Sequence, residues 1–553
     1  MEATIESDDS GPVPDRPSPA TLSSLKSAVW KRSPILADII QRRGAKNLLE
    51  FTRDFFSFPS LPITEARRHE LISVARELTA DRLGATVADG VVRQLEKFPL
   101  VSTADHHGPI DHPFFVNSNI IDSLPFHQRQ DPDLRYLVVF SFATVSINNA
   151  SAYPRGILFH GGINGSSNLI RIPILPDREK MGVAYTMRPF TPDDIARAHR
   201  AVDSKGATGT ITRERCVAVH QCLDTYFSDP SVLDTASLAE QITKINFNLW
   251  PDLFHTAETS SNSDVQIPDL VYLDIESLTR ELLIRFHLPN TASSLHQLLT
   301  NPGYHQAMKI HFDNIPGAFS EEKQWGTHLF WALNDRQHRK RMTLQQGRLV
   351  AEGMDYSVAT TVPALTQALR EKKIMPSMML CYLMVALYYG MKCLGGFSQV
   401  NDLTATKRAW QQLLRQMGDA IEADAIEPTD TTAYGGDGLV LSYLPTITGS
   451  LVPATGIDML FHDVESHYEH FLQLAQSVTL EEISSPMLPE IYSVYYPATD
   501  RTPELQSLTP EHILKLTQMD KKLVRASTPR PMPIASSNSP RDKQPLARPV
   551  TAG

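Results

Sequence analysis

Residues 375–394 read MPSMMLCYLMVALYYGMKCL, and Lys392 is their only charge. A helix that is apolar on every side must be buried, either at the centre of a large domain or in a bilayer, where about 20 residues make a span. Pro376 and Ser377 at the start, Gly390 and Lys392 near the end, and the abundance of methionine and tyrosine argue for the first. No second stretch of this kind occurs. The chain is therefore expected to wrap other elements around a buried helix over 376–394, with no membrane association.

Composition narrows the class. At 553 residues the chain exceeds what one hydrophobic core supports, so roughly two to four domains are expected. An apolar content of 42% with 21% charged residues is that of an ordinary globular protein. A net charge of -10 argues against a nucleic-acid footprint, which needs clustered positive charge. The four cysteines, Cys216, Cys222, Cys381 and Cys393, lack the C-x-x-C spacing of a thiolate zinc site and are too few for a disulfide scaffold. An acidic N-terminus without an apolar run shows no secretory signal, and a reduced, cytoplasmic setting is expected.

Along the chain, residues 1–20 form an acidic tail and 526–553 a basic tail rich in Pro and Ser, both too poor in bulky apolar residues to fold. Residues 21–98 carry a helical pattern. From 134 to 187 the texture is that of sheet: Leu134-Arg-Tyr-Leu-Val-Val-Phe-Ser-Phe is aromatic and β-branched. Shorter runs at 156–159, 168–175 and 182–187 follow, with turn residues between them. Thr191-Pro-Asp-Asp supplies a capping hydroxyl and a Pro at the first helical position. Residues 191–300 read as mostly helical apart from a strand-like passage at Leu270-Val-Tyr-Leu-Asp-Ile. After 300 the chain is helical with loops, over 362–372, 376–394, 402–420, 456–478 and 508–524, broken by glycines at 394–397 and 434–438. The expected class is α+β, a central mixed or antiparallel sheet over about 134–187 surrounded by helices. An α+β domain spans 21–300, and 301–525 is a mainly helical domain or a continuation of the same fold.

The densest chemistry lies at 102–113, Ser-Thr-Ala-Asp-His-His-Gly-Pro-Ile-Asp-His-Pro. Imidazoles and carboxylates are the ligands that Zn, Mn and Fe prefer, and a rigid loop can present several. His107 and His112 flank a Gly-Pro turn, so they are expected to hold a divalent metal together with His160. Asp105, His106 and Asp111 are the candidate catalytic groups, as base, ligand or orienter. The glycine turn at 159–168 lies just after a strand and lacks Walker and G-x-G-x-x-G spacing, so no nucleotide cofactor is expected. Its Gly161, Gly162, Asn164 and Ser166, with Arg171 on the next strand, are candidates to hold a carboxylate or phosphate.

Asp463, His467 and His470 fall at i, i+4 and i+7, one helix face, which also reads as an ordinary solvated stripe. The Arg336–Arg341 run is surface charge with the capacity to meet a phosphate or carboxylate. The triplet Asp105-His106-His107 resembles the signature of the DHH phosphoesterases, manganese enzymes in which it ends a buried strand and separate Asp-rich motifs complete the ligand set. Residues 21–98 contain no such motif, so the likeness covers three residues and carries over none of that family's roles. The expected function is metal-dependent hydrolysis or group transfer on a small polar substrate. The alternatives are metal-free His/Asp acid–base acyl transfer and a non-catalytic helical scaffold. Nothing in the sequence speaks to oligomeric state.

Overall fold

The computed structural model describes residues 18–129, 131–161, 169–254, 267–445, 450–464 and 468–529. Tyr136-Leu-Val-Val-Phe-Ser is buried along its whole length, the pattern of a strand covered on both faces. It lies inside a four-stranded sheet of β1 (Leu100–Ser102), β2 (Tyr136–Ser141), β3 (Asp269–Asp274) and β4 (Lys392–Leu394), in the order β4-β1-β2-β3. Every pairing is parallel: Val101 opposite Cys393, Ser102 opposite Val139, and β2 against β3 from Tyr136–Asp269 to Ser141–Asp274. Side-chain alternation divides two cores. Leu100, Leu137, Val139, Leu270 and Tyr272 enter one, while Val101, Val138, Phe140, Val271 and Leu273 enter the other. Removing a fully buried ring such as Phe140 costs about 3–5 kcal/mol.

The α+β class holds, with 55% helix and 15% strand. The strand-rich stretch 134–187 is split, however. Its first run joins the parallel sheet, while Gly156–His160 and Leu169–Pro173 pair with each other as a separate antiparallel ladder. Of the other members of the parallel sheet, β1 precedes β2 by one helix, while β3 and β4 come from far along the chain, because a strand buried on both faces needs helices above and below it before its next neighbour. The helices used below are α1 (Pro113–Arg129), which connects β1 to β2, α2 (Pro192–Ala207), α3 (Arg213–Cys222), α4 (Ile275–Leu282) and α5 (Phe397–Gln416). Thr191 caps α2 reciprocally with Asp194, as its sequence requires.

The apolar run resolves into three elements instead of one helix: strand Ile374–Pro376, a helix from Met378 that widens into a π turn over Leu383–Tyr388, and β4. Gly390 ends the helix at φ +65°, where a Cβ would meet Thr64 Oγ1 at 2.4 Å. The run's one charge is accommodated: Lys392 Nζ donates to the carbonyls of Asp54 and Ser57, 3.0 Å each, and lies 3.3 Å from Asp430. Among the described residues no helix is long and apolar enough to cross a membrane. Between β3 and β4 the chain also forms a five-stranded antiparallel sheet that includes Phe330–Leu333, Arg339–Gln345 and Arg348–Ala351. Gln346 and Gly347, both at positive φ (47° and 74°), turn its central hairpin. The expected helix over 456–478 is interrupted by strand His462–Val464, which removes the proposed face of Asp463, His467 and His470; His467 itself lies outside the described residues.

Candidate active site

The strand order puts β2 and β3 on one side of β1 and β4 on the other. Loops leaving the carboxyl ends of β1 and β4 therefore diverge, and in open parallel sheets this switch point is where ligands bind. A chamber of about 380 Å³ opens there, within the range of small-molecule sites. Thr103 and His106 follow β1, Phe142 and Thr144 follow β2, and Gln399 and Asp402 come from the first two turns of α5, directly after β4. Trp325, Trp331 and Arg339 reach in from the antiparallel sheets, and Asp437 from the second glycine-rich break.

The two glycine breaks of the sequence meet here. Gly395 N donates to Ala433 O (3.1 Å) and Gly435 N to Gly395 O (2.8 Å). A Cβ on Gly395 would lie 2.0 Å from Gln399 Cδ, and one on Gly396 2.0 Å from Asp437 Oδ2. Both positions must lack a side chain so that a carboxylate and an amide can close over the strand end. Gln399 Nε2 donates to Thr103 Oγ1 (2.8 Å), tying α5 to β1, while its Oε1 is buried with no hydrogen-bond partner among the described residues.

His106 has a defined tautomer. Asn149 Oδ1 accepts from the amides of Ser151 (2.8 Å) and Ala152 (3.3 Å). Since that atom must be oxygen, His106 Nδ1, 3.2 Å from it, carries the proton, and Nε2 carries the lone pair. Burial lowers the imidazole pKa, with the Asn149 bond opposing, so the ring is neutral at pH 7. Asp402 is pushed up to about 7 by burial. Asp437 is pushed up to about 7 by burial, with the charges of Asp105 and Glu490 adding. The chamber thus combines a neutral imidazole with two carboxyls that exchange protons near neutrality.

Arg339 lies over the Trp331 ring (4.8 Å) and donates through Nη1 to Thr144 O (3.1 Å). Desolvation is the only influence that shifts its pKa, and no carboxylate lies within ion-pair reach among the described residues. Its remaining donors stay available to an anion. The Ala143–Thr144 turn that it touches is held from behind by Glu276 of α4, whose carboxyl oxygens accept the two amides at 2.9 and 3.0 Å.

Of the other residues singled out in the sequence, His107 is structural. Its Nε2 donates to Ala239 O (2.9 Å), so its Nδ1 accepts from Ser141 Oγ (2.7 Å), and neither nitrogen is left for a metal. Asp105 is buried behind the chamber, where its Oδ2 accepts from Asn119 Nδ2 (2.6 Å) and the Tyr272 hydroxyl; burial pushes its carboxyl up to about 7. Burial also raises Asp111 well above the carboxylate range. His112 accepts the Phe114 amide at Nδ1 (3.3 Å) and is driven down to about 3 by burial. His160 is paired through Nδ1 with Asp458 (2.6 Å). Gly161 packs near the Thr210 carbonyl, and Arg171 is exposed, its guanidinium 5.6 Å from the centre of the Tyr153 ring. Gly162, Asn164 and Ser166 lie outside the described residues.

Among the described residues, no three His, Cys, Asp or Glu side chains are gathered as a metal ion requires. Of the five titratable residues in 102–113, the chamber wall takes His106 alone. Its other members were hidden in the sequence, because Asp402 and Asp437 stand isolated and acquire meaning from the glycines beside them. A larger cavity of about 430 Å³ lies at the amino ends of β1 and β4, but its buried cations are committed to the main chain: Lys392 as above, and Arg68 to the carbonyls of Tyr389 and Gly390. The carboxyl-end chamber is the better candidate because its charged groups are free to act. No protein-family model matches the chain, and no curated protein is similar to it.

Proposed function

We propose that the chain is an enzyme that transfers or hydrolyses a group on a small organic anion held in this chamber. His106 Nε2 takes the proton from an incoming hydroxyl, amine or water, and Asp402 or Asp437 returns one to the leaving group. Arg339 holds a carboxylate or phosphate, while Trp325, Trp331 and Phe142 enclose the apolar part of the substrate. The observation that carries the reading is the neutral His106, its basic nitrogen defined by Asn149, at the switch point of a parallel sheet. A metal-assisted version of the reaction would draw on Asp402, Asp437 and the substrate rather than on His107.

The test is a panel of small carboxylates and phosphate monoesters read by tryptophan fluorescence, since two of the five tryptophans line the chamber. A ligand found this way should bind Arg339→Gln about 10- to 100-fold more weakly, the worth of a hydrogen bond to a charged group. Turnover of that ligand should fall about 10²- to 10⁴-fold in His106→Gln with binding kept. Adding Zn²⁺, Mn²⁺ or Fe²⁺ to the same assay reads the metal-assisted version. A ligand that binds Arg339→Gln as well as it binds the unaltered chain would refute the anion site. Binding without turnover under any of these conditions would leave a receptor, not an enzyme.

A further inference from the structure

The charged walls of the chamber fall into two poles, and His106 stands between them. The strand order β4-β1-β2 sets their separation. Neighbouring strands are about 4.8 Å apart, so groups that follow β4 and groups that follow β2 are about 10 Å apart at the strand ends. Arg339 is on the β2 side, where it donates to Thr144 O. Asp402 and Asp437 are on the β4 side, the first on α5 and the second against Gly396. His106, after β1, feels the charge of Arg339, whereas burial is the only influence on Asp402 and on Arg339 itself. Opposite charges thus line one chamber without reaching each other.

The acidic pole is short of positive charge. Asp437 is set among carboxyls: the charges of Asp105 and Glu490 act on it, and it acts in turn on Asp122 of α1. Among the described residues no Lys, Arg or His lies in ion-pair reach of Asp105, Asp122, Asp402 or Asp437. Buried carboxylates without a counter-charge cost free energy that a bound cation recovers. Tyr382 completes this pole. Its ring meets that of Phe142 edge-on, with centroids 5.4 Å apart, and feels the charge of Asp402. With Trp325 and Trp331 it gives the chamber aromatic faces, which attract an ammonium group. Proton return to the leaving group needs one carboxyl and leaves the other without a role. Asp402, whose proton burial alone retains, suits that step. An ammonium beside Asp437 gains from Asp105, Asp122 and Glu490 as well.

We propose that the substrate of this chamber is an aminated organic anion, with its carboxylate or phosphate on Arg339, its ammonium on Asp437 and its reacting atom beside His106. On the enzymatic reading of the chamber, on which this rests, Asp437 selects the substrate and Asp402 returns the proton. An anion that lacks the amino group leaves Asp437 unpaired. A dicarboxylate sets like charges together there and is rejected.

The experiment uses matched pairs that differ only in the amino group: β-alanine and propionate, 4-aminobutyrate and butyrate, 5-aminovalerate and valerate, 2-aminoethylphosphonate and ethylphosphonate. Each is titrated into the whole chain and read by tryptophan fluorescence, with a chelator present so that no metal ion stands in for the ammonium. The expected result is a pair whose amino member binds about 10- to 100-fold more tightly, the worth of a hydrogen bond to a charged group. That advantage should fall below about 3-fold in Asp437→Asn and survive in Asp402→Asn, while Arg339→Gln weakens both members. Equal binding by the two members of every pair, still weakened by Arg339→Gln, would overturn this proposal and leave the anion site standing. An amino advantage that Asp437→Asn keeps would overturn it too. Binding that Arg339→Gln leaves unchanged would instead remove the anion site, and no binding by any pair would overturn both.

Discussion

Arg82 and Asp274 form an ion pair almost wholly withdrawn from water, with side-chain exposures of 6% and 0% and Nη2 2.5 Å from Oδ1. Arg82 Nη1 also donates to Thr243 Oγ1 (3.2 Å), and Asp274 Oδ2 accepts the Ser277 amide (3.1 Å), capping α4. Asp274→Asn keeps the cap but leaves the guanidinium buried without a counter-charge, which costs about 3–5 kcal/mol. The titration of Asp274 gives a second estimate. Burial alone would raise its pKa, but Arg82 overrides it and holds the carboxyl down to about 2, from an ordinary 3.8. That shift corresponds to roughly 2 kcal/mol. The folded pKa lies below the unfolded one, so this stability is present in full above about pH 4 and is lost as pH falls towards 2. Urea unfolding by fluorescence from pH 6 downward should show Asp274→Asn destabilised at pH 6 and less sensitive to acid than the unaltered chain. The double variant Arg82→Met/Asp274→Asn should recover at least half of the loss, because the stranded charge has gone. Because α4 carries Glu276, which holds Ala143 and Thr144, the single variant should also weaken ligand binding in the chamber. A single-variant cost below about 1 kcal/mol, or a double variant that costs as much as the two singles added, would refute the reasoning.

Gly396→Ala places a Cβ 2.0 Å from Asp437 Oδ2; displacing that carboxyl by about 1 Å should cost about 10²-fold in turnover, with circular dichroism unchanged. His107→Ala removes a fully buried ring and its two hydrogen bonds, each worth about 0.5–1.5 kcal/mol, while Ser141 Oγ keeps Leu273 O and Ala239 O keeps Thr243 Oγ1 as partners. Thermal unfolding should show that loss, whereas His106→Gln should stay within about 1 kcal/mol of the unaltered chain. Asp402, raised to about 7 by burial, keeps a proton that the unfolded chain releases. Its contribution to stability therefore declines as pH rises from about 4 through 7, and Asp402→Asn should flatten that part of the profile of urea midpoint against pH.

What could be read from the sequence followed the range of its signals. β2 announced itself through six successive strand-forming residues, and β3 through Leu270-Val-Tyr-Leu. β1 and β4 are three residues each, and β4 ends a run whose uniform apolarity looks the same in a helix and in a strand buried on both faces. Without β4 there is no switch point, so the chamber could not be located. The hairpin over 339–351 lies where helix and loops were expected, and it is what turns Arg339 from a surface charge into a chamber wall.

The segment 102–113 was legible as important but not as to why. Adjacent side chains on an extended backbone point to opposite sides. His106 pairs with Phe142 as a continuation of the β1–β2 ladder, so His106 faces the chamber while His107 turns back to Ser141 and the Ala239 carbonyl. The density of titratable residues that suggested a metal cluster is thus divided by the pleat. One histidine is left with a free basic nitrogen at the mouth of the sheet, and its neighbour spends both nitrogens holding the strand and the 238–252 helix in place. The division is open to experiment: the two substitutions should differ in kind, His106→Gln in turnover and His107→Ala in stability, and equal effects on both readouts would mean that the pleat does not separate their roles.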